Sequence, residues 1–322
     1  MNYRKLGATG IDVSEVGYGA WGIGRDAWLG ADDEESLRAL GRAIDLGLNF
    51  IDTALGYGQG HSEQLVGQVV RGRSETIHVA TKIPPKNGIF PAPAGLDPAE
   101  VFPGDHVTAC TEQSLRNLGL ETIDVQQLHV WQDEWVGRGD WLEAVEDLKR
   151  EGKIRFFGVS INDHQAANAL ELIETGVVDT VQVIYNVFDQ SPEDELLPAC
   201  QAAGVGVIVR VPFDEGALTG SITPETTFEE GDFRAHYFRG ERKAEVQERV
   251  RAIVSELGLS EDDMAEVALR YVLSHPAVST VIPGMRSVRN VERNIAVADG
   301  KGLPEERVRA LRAHRWVRNF YE

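Results

Sequence analysis

The feature that most constrains this chain is a repeated alternation of short β-branched segments with amphipathic helical patterns. Strands are expected near Val16–Ala20, Asn49–Asp52, Ile77–Lys82 and Thr122–His129, then near Ile154–Ser160, Thr180–Tyr185, Gly206–Arg210 and Val278–Ile282. Helical stretches fall between them, among them Glu34–Leu46, Val107–Leu118, Trp141–Arg150, Gln165–Glu174 and Glu193–Ala203. Glycines 47, 119, 152, 176 and 204 stand just beyond such helices, where a left-handed stop is needed. The strands are apolar on both faces, as parallel strands covered by helices must be. Eight such units favour a closed barrel over an open doubly wound sheet. Asn2–Val13 reads as a hairpin plugging the barrel bottom, and Glu305–Phe320 as a terminal helix. The expected fold is an α/β (β/α)8 TIM barrel with an N-terminal β-hairpin and a C-terminal extra helix. No linker, charge block or composition shift divides the chain, so residues 1–322 are expected to form one domain. Two long connections, Pro84–Gly104 and Asp214–Gly240, are of a length that usually serves function.

Composition narrows the partners. Against 32 basic residues stand 51 acidic ones, a formal charge of −19. That balance repels phosphate backbones and anionic lipid, so neither nucleic acid nor a membrane surface is an expected partner. The polar stretch Met1–Gly10 lacks the apolar core of a signal peptide, and no apolar run approaches the ~20 residues of a membrane span. The expected location is cytoplasmic, the expected state a monomer or weak homo-oligomer. Cys110 and Cys200 have no nearby ligand partners, so they read as buried free thiols and no metal site is expected.

In such a barrel, chemistry gathers where strands end. Asn49-Phe50-Ile51-Asp52 ends in a carboxylate, with Tyr57 five residues on; His78-Val79-Ala80-Thr81-Lys82 ends in an amine; Val125-Gln126-Gln127-Leu128-His129 ends in an imidazole. Each has an ordinary reading alone: Asp52 as a helix cap, Lys82 as a surface charge, His129 as a core histidine. The chain has only seven lysines, however, and one of them closes an apolar strand. Four such groups on one rim form an acid. An ammonium favours the tyrosinate and so lowers the phenol pKa, a carboxylate holds the ammonium, and an imidazole aims a carbonyl oxygen. That set protonates an oxygen gaining negative charge as hydride adds to an aldehyde or ketone.

At these residues the sequence resembles the aldo-keto reductase family. Asn49-Phe50-Ile51-Asp52-Thr53-Ala54, Tyr57-Gly58 and Gly60-His61-Ser62-Glu63 are similar to one family signature. Ser114-Leu115-Arg116, Leu118-Gly119, Ile123-Asp124 and Gln127-Leu128-His129 are similar to a second. The resemblance runs from Tyr3-Arg4-Lys5-Leu6-Gly7 nearly to Asn294. It implies Tyr57 as general acid, Asp52 and Lys82 as its tuning pair, and His129 as carbonyl orienter. The implied activity is NADPH-dependent reduction of a small carbonyl substrate.

The resemblance also implies cofactor contacts. Gln182 and Ser160 match the partners of the nicotinamide carboxamide. Where the family usually follows that serine with asparagine, Ile161 intervenes and Asn162 comes next. Arg210 stands where many members stack an aromatic ring; a guanidinium is planar but charged, and suits an anionic substrate or a pyrophosphate oxygen as well. Gly19, Trp21, Asp52, Asn162, Pro212, Gly216 and Leu218 are expected along the cofactor. Ile282-Pro283-Gly284-Met285-Arg286, Asn290 and Asn294 resemble the adenosine-end motif, with Gly284 and Met285 replacing a lysine–serine pair. Arg286 is therefore the candidate for the 2′-phosphate, which favours NADPH over NADH.

Gly17-Tyr18-Gly19-Ala20-Trp21-Gly22 fits G-x-G-x-x-G, but no helix opens directly behind it, so the dinucleotide fingerprint is rejected. Trp21, Trp28, Phe90, Trp131 and Phe213 are expected to line an apolar substrate pocket. His61, His106 and His164 show no ligand spacing. Two other functions fit parts of the pattern: a non-catalytic cofactor-sensing regulatory subunit of the same fold, and a lyase whose Lys82 attacks a carbonyl.

Overall fold

The computed structural model describes all 322 residues. Strands β1 (Tyr3–Lys5) and β2 (Asp12–Ser14) form an antiparallel hairpin with Tyr3 opposite Ser14. Eight parallel strands follow: β3 (Tyr18–Gly19), β4 (Phe50–Asp52), β5 (His78–Ile83), β6 (Ile123–Leu128), β7 (Ile154–Ser160), β8 (Thr180–Ile184), β9 (Gly206–Arg210) and β10 (Val278–Val281). Their order in the sheet is their order in the chain, so every connection is a neighbour-to-neighbour crossover. The first and last strands meet at parallel bridges Val16–Val281 and Gly19–Gly284, which curl the sheet onto itself. Only glycine fits at position 19, because a Cβ there would lie 2.4 Å from the Ile282 carbonyl oxygen.

The helices are α1 (Asp33–Asp45), α2 (His61–Val70), α3 (Pro98–Val101), α4 (Gly104–Leu118), α5 (Trp141–Arg150) and α6 (Leu170–Thr175). They continue as α7 (Leu196–Ala203), α8 (Phe233–Tyr237), α9 (Arg242–Leu257), α10 (Met264–Leu273), α11 (Val288–Ile295) and α12 (Glu305–Arg312). In α1, Asp32 caps the first turn by accepting from the Glu35 amide at 2.9 Å, and Ala39, Leu40, Ala43 and Ile44 bury one stripe. No helix is long and apolar enough to cross a membrane.

Inside the barrel the two-residue period of the strands sorts side chains into layers. Phe50, Ala80, Val125 and Ile208 point inward near the strand starts, where Leu6, Ile11 and Val13 of the hairpin segment pack against them in one apolar cluster. Two residues further along the same strands come Asp52, Lys82, Gln127 and Arg210. The hairpin thus seals the bottom, and the same periodicity lifts a polar layer to the C-terminal rim.

Several element boundaries differ from expectation. The helix expected at Gln165–Glu174 begins only at Leu170, because Asn168 is drawn to the Trp131 carbonyl at 2.8 Å and to the Asp133 amide. The one expected from Glu193 begins at Leu196, since Glu193 instead accepts from Tyr185 and Tyr271 at 2.6 and 2.7 Å. The final helix ends at Arg312 rather than Phe320. Beyond it the chain runs back over the barrel, with the Trp316 amide donating to the Phe188 carbonyl.

Candidate active site

A cavity of about 940 Å³ opens at the C-terminal ends of the strands. Asp52, Lys82 and Gln127 stand at the C-terminal ends of β4, β5 and β6 on the barrel interior, and their side chains meet there. Lys82 is fully buried and donates to Asp52 Oδ2 at 2.5 Å, to the Thr53 carbonyl at 2.8 Å and to Tyr57 Oη at 3.1 Å. Its three ammonium protons are thereby all used. The other carboxylate oxygen of Asp52 accepts from Gln182 Nε2 at 2.7 Å and from Gln127 Nε2 at 3.2 Å. A buried charge pair costs heavily unless its remaining lone pairs are satisfied, and here both glutamines do so.

Tyr57 reaches this pair from the loop behind β4. Gly58, at φ +62°, lies so close to the rim that a Cβ would meet the Gly24 carbonyl oxygen, and its amide donates to Asp26 at 2.9 Å. That turn sets the phenol between Lys82 and the ring of His129, 5.7 Å away. Burial raises the Tyr57 pKa, and the Lys82 ammonium offsets this only in part. The ammonium lowers the phenol pKa, as expected, but desolvation outweighs it, and the phenol keeps its proton at neutral pH. Burial opposes the Lys82 charge too, but Asp52 and Tyr57 outweigh it and its pKa rises.

His129 stands just past β6, with Phe90 against its ring at 5.1 Å. Burial, Lys82 and Arg210 push its pKa well below the usual range, so the imidazole is neutral. Its Nδ1 is buried without a partner.

Around this centre the cavity wall includes Gly19, Ser160, Gln182, Arg210, Pro212, Gly216, Gly284, Arg286, Asn290 and Asn294, as well as Trp21, Trp28, Phe90 and Phe213. Two expected residues are elsewhere. Trp131 is fully buried against Trp135 and Trp141, its indole N–H donating to Asp133 at 2.8 Å, so it is a core residue and not a substrate wall. Strand β6 ends at Leu128, and by position 131 the chain has already turned into the helix layer. Leu218 is likewise fully buried outside the cavity wall. Asn162 lines the cavity, but its amide is engaged with the Ala92 backbone and Gln165. The two-residue offset from Ser160 turns it toward the Pro84–Gly104 loop.

Arg210 donates from Nη2 to Asp163 at 2.7 Å and to the Ile161 carbonyl at 2.9 Å, while its Nε is buried without a partner. Arg286 donates from Nη1 to the Leu29 carbonyl at 2.7 Å. Residues not anticipated from sequence also line the cavity: Asp163, Glu215, Phe233, Arg234, Arg289, Arg293 and Tyr321. Arg289 and Arg293 stand four residues apart on α11, a helical spacing that was readable in the sequence. Tyr321 carried no such signal.

A sequence model of the aldo/keto reductase family matches residues 15–315. The chain is 29% identical over 308 residues to an NADH-specific methylglyoxal reductase of Escherichia coli (strain K12), covering 92% of this chain and 93% of that one. The holo form of the aldo-keto reductase AKR11C1 from Bacillus halodurans superposes with a TM-score of 0.76 at 27% identity, each chain covered completely. An aldo/keto reductase from Klebsiella pneumoniae in complex with NADP and acetate gives a TM-score of 0.67 at 25% identity, covering 99% and 98% of the two chains. A closed ring of parallel strands, a buried lysine–aspartate pair beside a tyrosine, and a family match across nearly the whole length agree: this chain belongs to the aldo/keto reductase family of oxidoreductases.

Proposed function

We propose that the chain reduces an aldehyde or ketone to an alcohol with NADPH, Tyr57 supplying the proton. The observation that carries this reading is the Lys82 ammonium, held by Asp52 and donating to Tyr57 Oη at 3.1 Å. A phenol kept protonated by burial is available as an acid, and the tyrosinate it leaves is stabilised by an ammonium already in contact with it. The neutral His129 donates from Nε2 to the carbonyl oxygen and orients it toward that phenol. Trp21, Trp28, Phe90 and Phe213 give the carbonyl substrate apolar walls.

The free polar groups suit a nicotinamide dinucleotide. Ser160 lines the cavity, and Gln182 donates through Nε2 to Asp52 and Gln127, leaving its carbonyl oxygen to accept from a carboxamide. Arg286 and Arg289 bring guanidinium groups to the α11 end of the wall, a geometry suited to a phosphate. A bound reduced nicotinamide supplies the hydride.

The test is to follow loss of reduced-nicotinamide absorbance across a panel of aldehydes for the wild type and for Tyr57→Phe. Turnover by the wild type, lost at least a thousandfold in Tyr57→Phe with NADPH affinity preserved, is the expected result. Binding without turnover across the panel would instead point to a cofactor-sensing subunit, and borohydride trapping of a carbonyl on Lys82 to a lyase.

A further inference from the structure

The connection behind β9 is strained where it borders the cavity. Val211, Asp214 and Glu215 have φ of +55°, +51° and +57°, and Gly216 has +107°. Three of these are not glycine, and a β-branched valine in that region is a true outlier. Such strain persists only where the surroundings over-determine the backbone. Local bonds hold part of it, as Asn186 Nδ2 donates to the Val211 carbonyl at 2.9 Å and Thr219 to the Gly216 carbonyl at 2.6 Å.

The two strained acids are held from the far end of the sequence. Asp214 is fully buried and pairs with the Arg318 guanidinium, whose side chain is only 8% exposed. Tyr237 also donates to Asp214, at 3.1 Å. Glu215 accepts from Tyr321 Oη at 2.7 Å. The segment supplying Arg318 and Tyr321 is itself fastened down: Trp316 packs edge-on against Phe188, and Arg242 donates to the Phe320 carbonyl at 2.7 Å. This segment lies outside residues 15–315, so the brace falls beyond what the family match describes.

We propose that residues 316–322 form a brace that holds the strained 211–216 loop in the shape the cofactor requires, with Arg318 and Tyr321 as its positioning residues. The inference rests on the cofactor reading of the cavity given above. Strained backbone with few local bonds relaxes when its distant anchors are cut, and a binding wall that must be rebuilt on each encounter weakens affinity. Of the apolar walls, Trp21, Trp28 and Phe90 stand on other loops, and Phe213 rides on this one.

Tyr321→Phe removes one hydrogen bond while keeping the ring. Arg318→Met alone leaves Asp214 buried and uncompensated and threatens the fold, so it is paired with Asp214→Asn. Amide hydrogen exchange of the free protein at residues 211–218 is expected to quicken tenfold or more in both variants, with exchange in β4–β8 unchanged. NADPH Kd, from fluorescence titration, is expected to rise about tenfold. Exchange at 211–218 that matches the wild type in both variants overturns the brace, even if the wild type binds NADPH well. Exchange that quickens evenly across the barrel also overturns it, because that marks general loosening. A wild type that binds no nicotinamide cofactor takes down the proposed function and this inference together.

Discussion

Lys82 Nζ lies 2.5 Å from Asp52 Oδ2, a fully buried ammonium on an almost fully buried carboxylate. Removing one partner of such a pair leaves the other charged and unpaired in a poorly solvated interior, at a cost of about 3–5 kcal/mol. Asp52→Asn is therefore expected to drop the Lys82 pKa, uncouple the ammonium from Tyr57 and lower kcat by about a hundredfold or more. Chemical denaturation should show a loss of stability on that scale. A variant with native stability and turnover would mean the pair does neither job.

His129 is held neutral by burial, Lys82 and Arg210. A histidine whose folded pKa is depressed binds fewer protons than its unfolded counterpart between the two values. Its contribution therefore lowers stability as pH falls through about 6.5, the unfolded value, and is absent above it. Activity should carry no matching limb, because the imidazole stays neutral from pH 6 to 8. A kcat/KM profile with an inflection near 6.5 that vanishes in His129→Gln would show a titrating imidazole instead.

Burial raises the Glu215 pKa to about 7, with the Tyr321 hydrogen bond working against the shift. The folded state then takes up a proton the unfolded state lacks, so stability falls as pH rises from about 4.5 to 7 and stays reduced above. Glu215→Gln keeps an acceptor for Tyr321 and removes the charge. It should flatten that slope and stabilise the protein at pH 8 by roughly 3 kcal/mol as an upper estimate from the shift. Urea melts at pH 5 and pH 8 check this; an unchanged slope sinks it.

Arg286 stands at the α11 end of the cavity, its Nη1 on the Leu29 carbonyl. If it meets the 2′-phosphate, Arg286→Met should weaken NADPH by about 10- to 100-fold, the scale of a charge-assisted hydrogen bond, and barely change NADH. Equal losses for both cofactors, measured by fluorescence titration, would remove the phosphate role.

Trp131, buried among Trp135 and Trp141, marks the difference between a rim residue and a core one. Trp131→Ala should cost about 3–5 kcal/mol of stability through the cavity it leaves. In the folded fraction the KM for the carbonyl should stay near wild type. A large change in KM without loss of stability would return Trp131 to the substrate wall.

The sequence alone determined the barrel and its polar rim, because both follow from periodicities local to each strand. Alternation by twos puts Asp52 above Phe50, Lys82 above Ala80 and Gln127 above Val125, and the strand–helix repeat makes those strands neighbours. What only the tertiary structure decided are contacts whose partners are far apart in the chain. Whether Trp131 faces the cavity or the helix layer depends on how the chain turns after Leu128, and whether Asn162 meets cofactor or loop depends on where Ala92 passes. The net acidity of Tyr57 was a contest between burial and Lys82, and burial is a property of the assembled cavity. Tyr321 reaches Glu215 across 106 residues, a pairing that no local pattern encodes because it exists only once the final segment has folded back over the closed barrel.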